Sequence, residues 1–297
     1  MEMITVGMDE SPCAAEALRW AVAEGEGRGW PVRAVLAWSF VRQHHIDRAQ
    51  STDPEYSEED AVLALQRYVA EAVGSAVARG IELDVVSERP AVGLIEAASG
   101  SPLLVVGSHG HGGISGFVLG SVSQECLHHS TVPVAIVRPV EGVADSESAE
   151  VMAGKIVVGI DGSDTSRRAL TWALDEARAR GGWVEVVHSW LLPAAYGYLT
   201  LPVPDSAAYE EDAEALVSRF IEKANTSGLS RPISRIIVGG TSTAGLLADR
   251  AANAELIVVG SRGIGGFRGM LIGSVAQHLA RHAPCPLIVI PATHAAG

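Results

Sequence analysis

Two stretches of the chain carry residues suited to holding phosphate. Leu103 to Gly110 reads LLVVGSHG; nine residues follow, then Gly120, Ser121 and Val122. Leu256 to Gly263 reads LIVVGSRG; nine residues again separate it from Gly273, Ser274 and Val275, at a constant offset of 153. Gly107, Gly110, Gly112, Gly113 and Gly120 recur as Gly260, Gly263, Gly265, Gly266 and Gly273. Such residues let a backbone approach a ligand closely and take positive φ. Their N–H groups can form an anion-holding concavity. A helix starting at Ser121 or Ser274 would aim its free N–H groups and dipole at the same point. Ser121 and Ser274 are expected to cap that helix in the empty site and to contact phosphate in the filled one. One glycine-rich segment alone reads most simply as a surface loop. Two copies with one internal spacing, each between an apolar β-branched run and a helix-periodic segment, favour phosphate binding.

Other reactive residue types lead to less. His109 and His111 make a His-x-His pair, a spacing that can ligate metal. Their counterparts, Arg262 and Ile264, cannot, so solvent-facing loop histidines and no metal site are expected. His128 and His129 close a helix, where a partly charged imidazole suits the dipole. The chain lacks the Gly-x-x-x-x-Gly-Lys-Ser/Thr loop of P-loop enzymes and any Gly-x-Gly-x-x-Gly after its first strand. Phosphoryl transfer needs a metal, a positioned nucleophile and charge-neutralising groups. Neither glycine-rich loop contains a lysine. No catalytic residues are assigned, and binding without fast turnover is expected.

The elements that must position these loops follow from periodicity. Ile4 to Asp9 reads as a strand ending at an acid, and Ser11-Pro12 as an N-cap and first helical residue. Val32 to Trp38 is a second strand. Residues 39–56 form a long polar loop, and a helix runs from about Ser57 to Ala78. Ile81 to Val86 is a third strand, Val92 to Ala98 a short helix, and Val132 to Val137 the closing strand. Strands alternating with helices imply a parallel sheet covered on both faces. Ligands bind such sheets beyond the carboxyl ends of the strands, where Asp9, Ala37 and Gly107 sit. Residues 140–153 read as an acidic linker, after which Ile156 to Asp161 restarts the pattern at an offset of 152. Trp190 matches Trp38, so Ser189 matches Ala37. Cys285 to Ile290 matches the closing strand. A repeat of this length holds a core of its own. Two tandem Rossmann-like α/β domains are expected, residues 1–140 and 154–297, each with a five-stranded, mostly parallel sheet. The two apolar closing strands are expected to cover each other and pair the domains within the chain. Homodimerisation of the whole chain is left open.

Composition bounds the partners. The 297 residues carry 22 Lys and Arg against 35 Asp and Glu, a net charge of −13. That argues against nonspecific nucleic-acid binding and against an anionic membrane surface. No apolar run reaches the length of a membrane helix. The three cysteines, Cys13, Cys126 and Cys285, are widely spaced and form no CxxC. Reduced thiols and a cytoplasmic protein are expected. The opening Met1 to Val6 reads as a strand rather than a signal peptide.

Gly-x-x-Gly, nine residues, then Gly-Ser is present in full in both copies. It resembles the pattern of the ATP-binding branch of the universal stress proteins, and the likeness covers nearly the whole chain. It implies that ATP, with or without Mg, is the cofactor. It places Asp9 and Asp161 near the nucleoside, and Ala37 and Ser189 at the adenine. The phosphates would fall on Gly110, Gly120, Ser121 and Val122, and on Gly263, Gly273, Ser274 and Val275. Ser123 would be a further donor, whereas its counterpart Ala276 has no hydroxyl. Gly7 and Gly159 would let the ligand lie close to the first strand of each half. Ser108, His109, His111, Ser261, Arg262 and Ile264 complete the two loops. An Asx-turn that caps the next helix is the competing role for Asp9 and Asp161. The resemblance implies a nucleotide-dependent regulator in stress adaptation with two sites per chain. The alternatives are a slow ATP-hydrolysing enzyme and an interaction module with a purely structural nucleotide.

Overall fold

The structure, a computed structural model, describes residues 2–38, 57–110, 119–139, 153–190, 206–264 and 271–292. The long loop at 39–56, nearly all of the linker, and the loop centres with His111, Gly112, Gly113, Gly265 and Gly266 lie outside the described residues. The chain divides into two compact units, Met1–Ala144 with Pro286–Gly297, and Asp145–Cys285.

In the first unit, β1 (Ile4–Gly7), β2 (Val32–Trp38), β3 (Glu82–Ser87), β4 (Leu104–Gly107) and β5 (Val134–Val137) alternate with α1 (Pro12–Arg28), α2 (Glu58–Ala78), α3 (Pro90–Ala97) and α4 (Ser121–His129). The strand order is β3-β2-β1-β4-β5, parallel throughout. β10 (Leu287–Ile290) then joins β5 antiparallel, with Ile288 opposite Ala135. The closing strand of the second repeat therefore belongs to the first compact unit.

The second unit holds β6 (Lys155–Gly159), β7 (Trp183–Trp190), β8 (Ser234–Gly239) and β9 (Leu256–Gly260), in the parallel order β9-β6-β7-β8. Its helices are α5 (Asp164–Arg180), α6 (Ser206–Glu222), α7 (Thr243–Ala251) and α8 (Ser274–His282). In each unit the order reverses beside the first strand, between β1 and β4 and between β6 and β9. Helices cover both faces: α1 and α2 pack together on one side of the first sheet, and α3 and α4 on the other.

The sequence explains these elements. Ile4, Val6, Leu104, Val105, Ile156 and Ile257 are fully or almost fully buried, as strands covered on both faces require. Each such side chain contributes roughly 1.5–3 kcal/mol relative to exposure. Ser11 caps α1 by accepting the Ala14 N–H at 3.1 Å, with Pro12 at the first helical position, as its sequence predicts. Ser57 and Asp60 form a full capping box on α2. Gly29 and Gly181 end α1 and α5 at φ 68° and 63°, a left-handed C-cap that glycine adopts without strain.

The opposite end of the second sheet is held by charge. Glu185, 2% exposed, lies 3.0 Å from Lys155 Nζ and accepts both Nε and a terminal nitrogen of Arg250, at 2.8 and 2.6 Å. Burial pushes the Glu185 carboxyl up. Hydrogen bonds and charge from Arg250 and Lys155 outweigh that and hold it below the ordinary glutamate value.

Candidate functional site

Asp9 lies two residues past the end of β1 and β4 ends at Gly107, with the two strands side by side at the point where strand order reverses. Each acid is fixed by the turn that follows it. Asp9 Oδ1 accepts the Ser11 N–H at 2.9 Å. Asp161 Oδ1 accepts the Ser163 N–H at 3.0 Å and its hydroxyl at 2.7 Å. The Asx-turn role is thus present in both units. It leaves Oδ2 facing the glycine-rich loop. A Cβ added to Gly110 would stand 2.5 Å from Asp9 Oδ2, and one on Gly263 would stand 2.2 Å from Asp161 Oδ2. In the second unit the Ile264 N–H donates to Asp161 Oδ2 at 2.8 Å. Burial pushes the Asp161 carboxyl up, but the donors from Ser163, Ile264 and Ser166 together hold it below the ordinary aspartate value.

The two ends of each loop are pinned by one backbone bond. The Gly120 N–H donates to Ser108 O at 2.8 Å, and the Gly273 N–H to Ser261 O at 2.7 Å. A helix begins at the next residue. Gly120 and Gly273, at φ −63° and −79°, are the N-caps, and among the described residues no side-chain cap bond is made at the start of α4 or α8. By contrast, α1, α2, α5 and α7 each have a serine N-cap whose side chain accepts a first-turn N–H. The expectation that Ser121 and Ser274 cap these helices is therefore corrected. They are the first helical residues, where a hydroxyl lies past the groups it would have to reach. The N–H groups of Ser121, Val122, Ser274 and Val275 belong to the first turns of α4 and α8, where an α-helix leaves them without intrahelical acceptors.

Several expected roles come out differently. Among the described loop glycines, Gly107, Gly110, Gly120, Gly260, Gly263 and Gly273, none has a positive φ. Gly107, Gly110, Gly260 and Gly263 are required for space, whereas a Cβ on Gly273 would meet only ordinary contacts. A Cβ on Gly107 would lie 2.8 Å from Cys13, and one on Gly260 would lie 2.8 Å from Thr165. The space over Gly7 is taken by Leu94 and that over Gly159 by Leu247, at 2.7 and 3.0 Å from an added Cβ. Ser108 and Ser261 are buried, 1% and 3% exposed. The Ser123 hydroxyl donates to Gly107 O at 2.6 Å, beneath the opening, and Ala276 is likewise buried. His109 is half-buried rather than turned wholly to solvent. Its ring packs against Cys13 Sγ, 3.5 Å from both nitrogens, and its Nδ1 lies 3.0 Å from Ser108 Oγ. Apolar contact and a local hydroxyl draw it inward. For His128, burial and then the neighbouring His129 push the imidazole below its ordinary value, against the opposing charge of Glu125.

At the end of the second strand of each unit, Ala37 pairs with Val86 and Ser189 with Val238. The Ser189 hydroxyl bonds Thr243 Oγ1 at 2.5 Å. Beside it, Trp190 stacks on Tyr209 with centroids 5.9 Å apart. His188, 8% exposed, donates from Nδ1 to Ile160 O at 2.8 Å and ties the ends of β6 and β7 together. Reasoning from sequence passed over Thr165, whose hydroxyl donates to the Arg262 carbonyl and anchors the second loop. Its position in the first helical turn after Asp161, matched by Cys13, was the available signal. Among the described residues no group of three or more His, Cys, Asp or Glu side chains is placed to hold a metal ion. Burial pushes the Cys126 and Cys285 thiols up to about 12, so both stay protonated.

A repeated parallel α/β unit with a glycine-rich turn leading into a helix at its switch point defines a tandem Rossmann-like class of protein. The sequence profile of the universal stress protein family matches residues 1–138 and again 152–291, and the chain belongs to that family. A universal stress protein of Mycolicibacterium smegmatis is 30% identical over 295 residues, covering 97% of this chain and 96% of that protein. One from Mycobacterium tuberculosis is 31% identical over 296 residues, covering 96% of this chain and 95% of that protein. The crystal structure of a universal stress protein from Archaeoglobus fulgidus shares the fold, with a TM-score of 0.62 at 21% identity, covering 97% of this chain and 98% of that one. Among the described residues, no helix is long and apolar enough to cross a membrane.

Proposed function

We propose that the chain binds ATP at both switch points, one nucleotide per repeat, and acts as a nucleotide-dependent regulator rather than as a fast enzyme. The observation that carries this reading is the pair of uncapped helix N-termini at α4 and α8. Each stands beside a loop whose Cβ-free Gly110 or Gly263 abuts an aspartate. Orphan first-turn N–H groups and the helix dipole favour a phosphate there. Asp9 and Asp161, each held by an Asx-turn just past β1 and β6, would accept ribose hydroxyls. Ala37 and Ser189 offer backbone groups to the base. Asp161 already receives donors on both oxygens. Mg²⁺ would therefore reach this site on the phosphates of the nucleotide rather than on a protein cluster.

The test has two arms. Mass spectrometry of whatever co-purifies with the protein is expected to show an adenine nucleotide. Calorimetric titration of ATP into stripped protein is expected to approach two per chain. A stoichiometry near one would remove one loop from the assignment, and no binding would remove both. Turnover of bound ATP faster than its release would favour the enzyme reading instead.

A further inference from the structure

Helix α8 carries two histidines one turn apart. His278 and His282 are both exposed, with ring centroids 4.5 Å apart and planes inclined at 36°. The rotation of the helix is fixed by its buried residues, Ala276, Leu279 and Ala280, and by its packing against α7. Positions 278 and 282 therefore share an outward face. Zn–N bonds are about 2.0–2.1 Å, so two imidazole nitrogens on one ion stand roughly 3 Å apart. Two histidines at i and i+4 on one helix face are spaced to present two nitrogens to one ion. The pair also lies in the last turns of the helix, where the dipole favours a cation. Arg281, in the same turn, works against that.

We infer that His278 and His282 form a two-point chelate for a borderline divalent transition ion, with water in the remaining positions. Imidazole pairs suit Cu²⁺, Ni²⁺ and Zn²⁺, with Cu²⁺ held most tightly, whereas Mg²⁺ and Ca²⁺ prefer oxygen. The molecule supplies its own contrast. His128 and His129 are adjacent on α4, meet edge to face at 6.1 Å and 73°, and cannot share an ion. The residues matching the pair at the 153-residue offset are Glu125 and His129, which makes the bis-imidazole a property of the second repeat alone.

The experiment uses the full chain, freed of metal, titrated calorimetrically with Zn²⁺ and separately with Ni²⁺ and Mg²⁺. One Zn²⁺ event per chain is expected. Either His278→Ala or His282→Ala should weaken it at least about tenfold, because the second ligand then loses its effective concentration. His128→Ala should leave it unchanged, and Mg²⁺ should show no event at this pair. Each protein is compared with itself in chelator, and Zn²⁺ should raise the midpoint of wild type and of neither variant. The event should persist in Gly273→Asp, which separates it from any ion carried by a nucleotide. Zn²⁺ affinity that is equal in wild type and His278→Ala would overturn the inference. So would a loss caused equally by His128→Ala, or one that follows Gly273→Asp.

Discussion

Gly273→Asp is expected to strengthen a helix and abolish a binding site in one step. Gly273 is the N-cap of α8 at φ −79° and ψ 158°, a conformation any residue adopts. A Cβ there meets Ser261 O at 3.4 Å and Arg262 Cα at 3.6 Å, ordinary contacts. Aspartate is a slightly better N-cap than glycine and its charge suits the dipole, so the fold should gain about 0.5 kcal/mol. The same carboxylate occupies the N–H groups assigned to phosphate. At ~4 Å and an effective dielectric of ~20, two unit charges repel by about 4 kcal/mol before screening. Salt reduces this, leaving about 2–4 kcal/mol, or roughly 30- to 1,000-fold in ATP affinity. Titration calorimetry on stripped protein should show the stoichiometry fall from near two to near one. Urea or thermal unfolding should show unchanged or raised stability. If the variant melts higher, showing that the cap has formed, yet binds ATP as wild type does, the first-turn N–H groups are not the phosphate site. Gly120→Asp is the parallel change in the first repeat, with a tighter 3.1 Å approach to His109 Cα that should cost some stability.

Three further outcomes follow from other contacts. Because Asp161 is held below its ordinary value, its contribution to stability is present above the unfolded pKa of about 3.9 and is lost as pH falls through the folded value. Asp161→Asn should therefore cost about 1–2 kcal/mol at pH 7, with the gap to wild type closing below about pH 4; a gap independent of pH in urea melts would refute this. Glu185→Ala strands the buried Lys155 charge and should cost about 3–5 kcal/mol by the same melts, and a loss under 1 kcal/mol would show that the triad is not coupled. Residues 1–140 expressed alone lose β10 and expose the β5 edge Val134 to Val137, so light scattering should find dimers or larger species, and a stable monomer would count against edge protection.

Most of the fold was legible because burial on both faces of a parallel sheet forces long β-branched runs, and these are visible without partners. β2 came out at Val32–Trp38 as read, and the α1 start at Ser11-Pro12 was set by two local residues. Ends set by tertiary hydrogen bonding shifted: the strand expected from Val132 begins at Val134, and that expected from Cys285 begins at Leu287. Within the site, spacing located the loops and the acids, because both depend on backbone path. It did not reveal which side chains turn inward, since those partners lie far along the chain. The Cys13–His109 contact spans 96 residues, and the bond from Thr165 to the Arg262 carbonyl spans 97. That difference has consequences. A threonine hydroxyl makes a directed bond to the loop backbone, whereas a thiol offers weak, soft contacts to a ring and a hydroxyl. Two repeats with one backbone pattern thus anchor their loops by different chemistry, so equal spacing does not imply equal rigidity at the two openings.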